Sequence, residues 1–231
     1  MQPPLSSYLA ISRLLALIGL VGLAAAPLAA PVAAEEPQTA AIAPLSSADA
    51  DDLARVEQYL RDLTTLRSRF VQVSSQGDYA EGELVLDRPG KARFDYDPPT
   101  PVLMIARGGS LLYYNRELEQ ASLVPLASTP LRFLTDSDVS LGRDAQIIAI
   151  ERRDGTLAIT LAETGQEQDG TLTLVFSEGP LVLRQWQIVD AEGTAVQVAL
   201  VDPAFGVAVA ASLFDYGDLD IYGLEGRERA R

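Results

Sequence analysis

The sequence predicts a mainly β protein of about ten short antiparallel strands, either a sandwich or one strongly curved, barrel-like sheet. Three observations carry this expectation. From Leu66 onward, apolar residues alternate at the two-residue period of a strand with one buried face. Turn-forming residues recur about every 8–12 positions. Helix signals are confined to two stretches, residues 46–63 and 128–134.

Taken in order, residues 1–34 read as a secretory leader followed by a linker at 35–46. Arg13 precedes the apolar run LLALIGLVGLAAAPLAA, and small residues at Val32 and Ala34 suit cleavage after Ala34. The alternative is an uncleaved membrane anchor, against which Pro27 and the Ala-rich end weigh. Arg13 is the only charge before Glu35, so cleavage takes the formal net charge from −14 to −15. No cysteine follows the run, so lipidation at that point is excluded.

One folded domain is expected over residues 47–222. Ser46 or Ser47 can cap its first helix, Asp49, Asp51 and Asp52 suit the positive N-terminal end, and Leu53, Val56, Leu60 and Leu63 form one apolar stripe. Residues 69–73 make a first strand turning at Gly77-Asp78. The central stretch is GELVLDRPGKARFDYDPPTPVLMIARGGSLLYYNRELEQ, residues 82–120. Its strands place Leu84 and Leu86, then Ala92, Phe94 and Tyr96, then Leu103 and Ile105 on one face. Arg88-Pro89-Gly90, Asp97-Pro98-Pro99 and Gly108-Gly109 make its corners. Strands follow at 111–115 and 120–124. Thr129 can cap a short helix that Pro130 starts, with Leu131, Phe133 and Leu134 too apolar to face water. That helix lies on the sheet as permanent cover or as a lid. Further strands are expected at 147–152, 157–162, 171–177, 181–189 and 195–201. Residues 205–216 read as a bend and a final strand, and residues 223–231 as a charged, frayed tail.

Composition removes whole classes of function. A net charge of −14 disfavours nucleic acid and anionic membrane surfaces. Without cysteine there are no disulfides or thiol nucleophiles, and without histidine the usual zinc sites and triads lose their common base. The carboxylate pairs Asp95/Asp97, Asp49/Asp51 and Asp136/Asp138 fall in turns or at helix starts, where aspartate is common anyway. Asp215, Asp218 and Asp220 lack a calcium-loop spacing. No catalytic residue, metal or cofactor is expected.

Two features remain. Arg88 is either a surface arginine at a turn or a fork of donors for the carbonyls of a helix end or a head group. Phe70, Leu84, Leu86, Phe94, Tyr96, Tyr113 and Trp186 are either plain core or the wall of an apolar hollow, because one long curved sheet has few helices to fill it.

The ordered segments LTTLRSRFVQ, GELVLDRPGKARFDYDPP, GGSLLYYNRELEQ and TPLRFL resemble the periplasmic outer-membrane lipoprotein carriers, the LolA-like family. The resemblance runs from Leu53 to about Leu134. It implies an unclosed (half) β-barrel covered by helices, whose hollow binds the acyl chains of lipoproteins. On this chain the implied cavity residues are Phe70, Leu84, Leu86, Ala92, Phe94, Tyr96, Leu103, Ile105, Tyr113 and Trp186. The implied lid is residues 129–135, with Leu131, Phe133 and Leu134, latched to the sheet by Arg88. The implied partners are acylated lipoproteins, an inner-membrane lipoprotein-releasing ABC transporter and an outer-membrane acceptor, met in the periplasm by a monomer. Three residues depart from the family pattern. Phe94 stands where tryptophan is usual, Ala92 where a bulky residue is common, and Arg132 sits unexpectedly in the lid. A carrier or sensor of free lipid or glycolipid on the same fold is the alternative reading.

Overall fold

Apolar alternation along most of the chain produces one eleven-stranded antiparallel sheet. The computed structural model describes residues 45–163 and 169–217. The expected leader, nearly all of the linker and the charged tail lie outside these residues.

The strands are β1 (Thr65–Ser74), β2 (Tyr79–Asp87), β3 (Lys91–Tyr96), β4 (Val102–Arg107), β5 (Ser110–Asn115), β6 (Gln120–Pro125), β7 (Gln146–Arg153), β8 (Thr156–Ala162), β9 (Gly170–Glu178), β10 (Leu181–Asp190) and β11 (Ala195–Phe205). Their order is β6-β5-β4-β3-β2-β1-β11-β10-β9-β8-β7, so two consecutive meanders join through β1 and β11. β6 and β7 remain as free edges, and the sheet is an unclosed barrel. Several of the connections are tight hairpins. At Asp154-Gly155 both residues have positive φ (51° and 76°), the pairing a two-residue turn between twisted strands requires. Register shifts at Arg67/Arg69, Leu183/Gln185 and Ile147/Ala149 insert bulges, which bend and twist their strands and help curl the sheet.

Three α-helices and a 3-10 turn cover the concave side. α1 (Ser47–Asp62) starts in a capping box, with the Ser46 hydroxyl accepting from the Asp49 N–H and the Asp49 carboxylate accepting from the Ser46 N–H. Val56, Leu60 and Leu63 are buried beneath it. Tyr59 meets Phe176 edge-on at 5.5 Å, and its hydroxyl accepts from the Leu183 N–H. Arg152 on β7 pairs with Asp49 and Asp52, fixing the helix at that end of the sheet. The connection from β6 to β7 carries a 3-10 turn (Leu126–Ser128), α2 (Arg132–Thr135) and α3 (Leu141–Asp144), and so runs from one free edge to the other. The helical part of the expected lid is thus one turn long. The four residues of α3 were not anticipated: nothing so short shows helical periodicity.

Residues 207–217 correct another expectation. They form no strand but cross the outer face as a strap with a 3-10 turn at Ala211–Phe214. Phe214 is buried there among Val85, Leu103, Ile105, Leu112 and Tyr114. The Leu213 carbonyl accepts from Arg93, and Asp215 pairs with Arg107. Two cores therefore flank the first half of the sheet, a large one inside and a small one under the strap.

Candidate functional site

The inner face of the first half is built around aromatic rings. Cross-strand register places Phe70 opposite Gly82, Gly82 opposite Tyr96, and Leu84 opposite Phe94. Gly82 is required here: a Cβ would come within 2.7 Å of the Phe70 ring and 2.4 Å of the Asp95 carbonyl. The ring of Phe70 meets Phe94 and Tyr96 edge-on at 5.7 and 5.0 Å, and Phe94 meets Trp186 of the second half at 6.2 Å. Edge-to-face packing of this kind adds to the burial energy and holds the rings in place.

α1 fills one end of the half-barrel, near Phe176 and Leu183. At the other end lies a cavity of about 520 Å³, a volume typical of ligand sites. Its floor is Phe94, Tyr96, Trp186 and Val198, its far wall Leu161, Leu172 and Ile188, and its roof the lid residues Leu131, Phe133 and Leu134. Glu163, Asp169, Asp190 and Glu192, at the end of β8, the start of β9 and the end of β10, form its acidic rim. Among the described residues, Arg132 is the only basic group in the wall. It donates to the Asp144 carbonyl at 2.8 Å and stacks 4.3 Å over the Phe133 ring, so it stiffens the lid connection.

Within this apolar wall sits one polar pair. The Tyr96 hydroxyl donates to Gln72 Oε1 at 2.7 Å, with both side chains buried. Burial pushes the Tyr96 phenol far above its ordinary value, so it keeps its proton.

Arg88 is the latch. One guanidinium nitrogen donates to the Leu63 carbonyl at 3.0 Å and another to the Asp136 carbonyl. These are the C-caps of α1 and α2, the negative ends where a cation is favoured. The adjoining backbone reinforces it, with Arg88 N–H donating to Thr64 and Gly90 N–H to Thr135, both at 2.8 Å. Burial lowers the Arg88 pKa and the Asp136 carboxylate opposes that, but a guanidinium remains charged throughout. Its Nε is buried with no partner among the described residues.

The sequence-based residues divide accordingly. Phe94, Tyr96, Trp186, Leu131, Phe133 and Leu134 line the cavity. Phe70, Leu84, Leu86 and Ala92 belong to the same inner core but lie beneath α1 and the rings rather than on the open wall. Tyr113 packs against that core and is half-buried. Leu103 and Ile105 are corrected: they face outward under the strap. The β3–β4 register pairs Phe94 with Met104 and Arg93 with Ile105, so the inward residues of β4 are Val102, Met104 and Ala106. Five apolar residues in a row, Val102 to Ala106, conceal which alternate set points in. Sequence reasoning also missed Gln72, although its inward phase follows from Leu66, Ser68 and Phe70. Of the candidate carboxylates, Asp95 pairs with Arg93 and Arg116, Asp97 with Arg69, Asp49 with Arg152 and Asp138 with Arg143. Asp215 pairs with Arg107, while residues 218 and 220 lie outside the described residues. No cluster able to hold a metal occurs among the described residues.

A profile of the family described as outer membrane lipoprotein carrier protein LolA matches residues 61–217. The chain belongs to the LolA family. This is a family of carriers, not enzymes, whose proteins are periplasmic. The outer-membrane lipoprotein carrier protein of Pseudomonas syringae pv. syringae is 28% identical to this LolA-family chain over 179 residues, covering 73% of it and 85% of the relative. That of Azotobacter vinelandii is 27% identical over 183 residues, covering 74% and 87%. A solved LolA superfamily protein of Nitrosomonas europaea aligns over 72% of this chain and 97% of its own, at 9% identity and a TM-score of 0.44.

Proposed function

We propose that this chain is an exported periplasmic chaperone that takes up the acyl chains of lipoproteins released from the inner membrane and delivers them to the outer membrane. The observation that supports it is the apolar cavity between lid and sheet, in a chain of the lipoprotein-carrier family. An acyl chain gains about 0.8 kcal/mol per buried methylene, so a chain of about 14 methylenes would gain about 11 kcal/mol on entering such a wall. No lipoprotein could cross an aqueous compartment with that surface exposed. Delivery then requires the roof to open, and hydrogen bonds at the Arg88–Gly90 corner tie that roof to the sheet.

The proposed lining is Phe94, Tyr96 and Trp186 with the lid residues Leu131, Phe133 and Leu134; Phe70, Leu84, Leu86 and Ala92 shape the floor from below. In this reading residues 1–34 are a cleaved export signal and residues 47–222 the working domain. The donor is an inner-membrane lipoprotein-releasing ABC transporter, the recipient an outer-membrane acceptor, and the carrier works as a monomer. The test is native mass spectrometry of the chain from Glu35, purified from the periplasm of a host loaded with a tagged lipoprotein. A one-to-one lipoprotein adduct is expected. A phospholipid or fatty-acid adduct alone would favour the free-lipid carrier, and an empty chain would count against both.

A further inference from the structure

Inside the acidic rim, the mainly apolar cavity wall carries one buried amide, Gln72, which is only half used. Gln72 is 6% exposed and faces the cavity from β1. Its Oε1 accepts from Tyr96, while its Nε2 has no partner among the described residues. A cavity-facing amide donor with no protein partner is free to bond an acceptor inside the cavity. Its presence on a wall otherwise suited to hydrocarbon points to an acceptor that arrives with the ligand.

The place of Gln72 selects that acceptor. Along β1 it follows Phe70, which lies against the aromatic floor, and it pairs with Val198 and Ala80. The next inward pair towards the opening is Ser74 and Val196, after which comes the turn bearing Ala191 and Glu192 at the mouth. Gln72 thus stands between the floor and the opening. A chain lying on the rings has its methyl end inside and its head at the acidic rim. The only acceptors an acyl chain carries are the oxygens at its head end, which come level with Gln72.

We propose that Gln72 Nε2 donates to the carbonyl oxygen of the ester or amide joining an acyl chain to its head group, with Tyr96 holding the amide in position. This rests on the acyl-binding reading above. It makes the cavity selective for acyl over alkyl chains of equal length.

Trp186 is the only tryptophan of the chain and lines the cavity, so its fluorescence reports occupancy. Three probes are titrated: a dipalmitoylglyceryl-cysteinyl peptide, its dihexadecyl ether counterpart without carbonyls, and palmitate. The parent chain should bind the ester about three- to tenfold more tightly than the ether, the worth of one net hydrogen bond. Gln72→Met should bind both with the affinity of the ether. Equal ether binding shows that the variant is folded. Should Gln72→Met not fold, Gln72→Glu serves the same comparison, with an acceptor of equal size replacing the donor. Equal affinities for ester and ether in the parent chain, or a preference that survives in the variants, would overturn the proposal. Dependence on Gln72 with palmitate alone would overturn it too, assigning the amide to a free carboxylate. Failure of every probe to bind would instead remove the acyl-binding reading itself.

Discussion

Replacing Arg88 with leucine should loosen the roof of the cavity far more than it loosens the fold. Two hydrogen bonds from a charged donor are lost, one to each helix C-cap, and each contributes about 1.5–3 kcal/mol. Against this stands the buried, unpaired Nε, whose removal returns about 1–3 kcal/mol. The balance is about 2 kcal/mol in favour of the closed corner, or about thirtyfold in the opening equilibrium. Amide hydrogen exchange reads this directly. The Gly90 amide, bonded to Thr135, and the Asp136 amide, bonded to Arg132, should exchange about thirtyfold faster in Arg88→Leu. Core amides of β1 and β11 should change much less. If Gly90 exchanges as in the parent chain, or slows and quickens only with the whole sheet, Arg88 is not a latch. Lipoprotein transfer by the variant should be impaired at closure and reloading, and normal transfer would equally refute the role.

Two more predictions separate the cavity from its surroundings. Phe214→Ala should destabilise the chain by about 3 kcal/mol in urea unfolding, yet leave affinity for the dipalmitoyl lipopeptide unchanged, because Phe214 packs on the outer face. A marked loss of affinity would mean that the strap shapes the cavity. The second concerns pH. Asp95 is held low by its bonds to Arg93 and Arg116 despite desolvation, and Asp144 by Arg143. Carboxyls with a folded pKa below the unfolded value contribute stability above about pH 4 and lose it as pH falls through the folded value. Melting temperature should therefore drop below about pH 4. With no histidine in the chain, it should be flat between about pH 6 and 8, and a slope there would contradict this assignment.

How much of this was legible in the sequence depends on the local pattern. The strand at Ala92, Phe94 and Tyr96 alternates cleanly and its inward set is as expected, and Leu157, Ile159 and Leu161 alternate as cleanly in the second half. β4 is apolar at five successive positions and buried on both faces, so its phase is set by the strap, a long-range partner invisible in the local sequence. The sequence of residues 205–216 reads as a bend and a strand; only the route of residues 207–217 across the outer face makes them a cover. In β10 a bulge places Leu183 and Trp186 on the same face three residues apart, which no strict two-residue period allows. Arg88 could be flagged from its corner, whereas its two helix C-caps come from residues 25 and 48 positions away. Gln72 is legible by phase, but a polar side chain on an inward face has no local signal of its own.

If acyl chains lie between lid and sheet, site-specific photocrosslinking should capture them there. A benzophenone side chain is placed at Ile188 or Leu161 in the cavity wall, or at the exposed Leu123 and Ile148 of the two edge strands. Each variant is expressed with a tagged lipoprotein and irradiated in cells. Crosslinks to the lipoprotein should form from Ile188 and Leu161, and an unacylated form of the same lipoprotein should give none. Equal crosslinking from Leu123 and Ile148, or crosslinks that survive without acylation, would contradict the account.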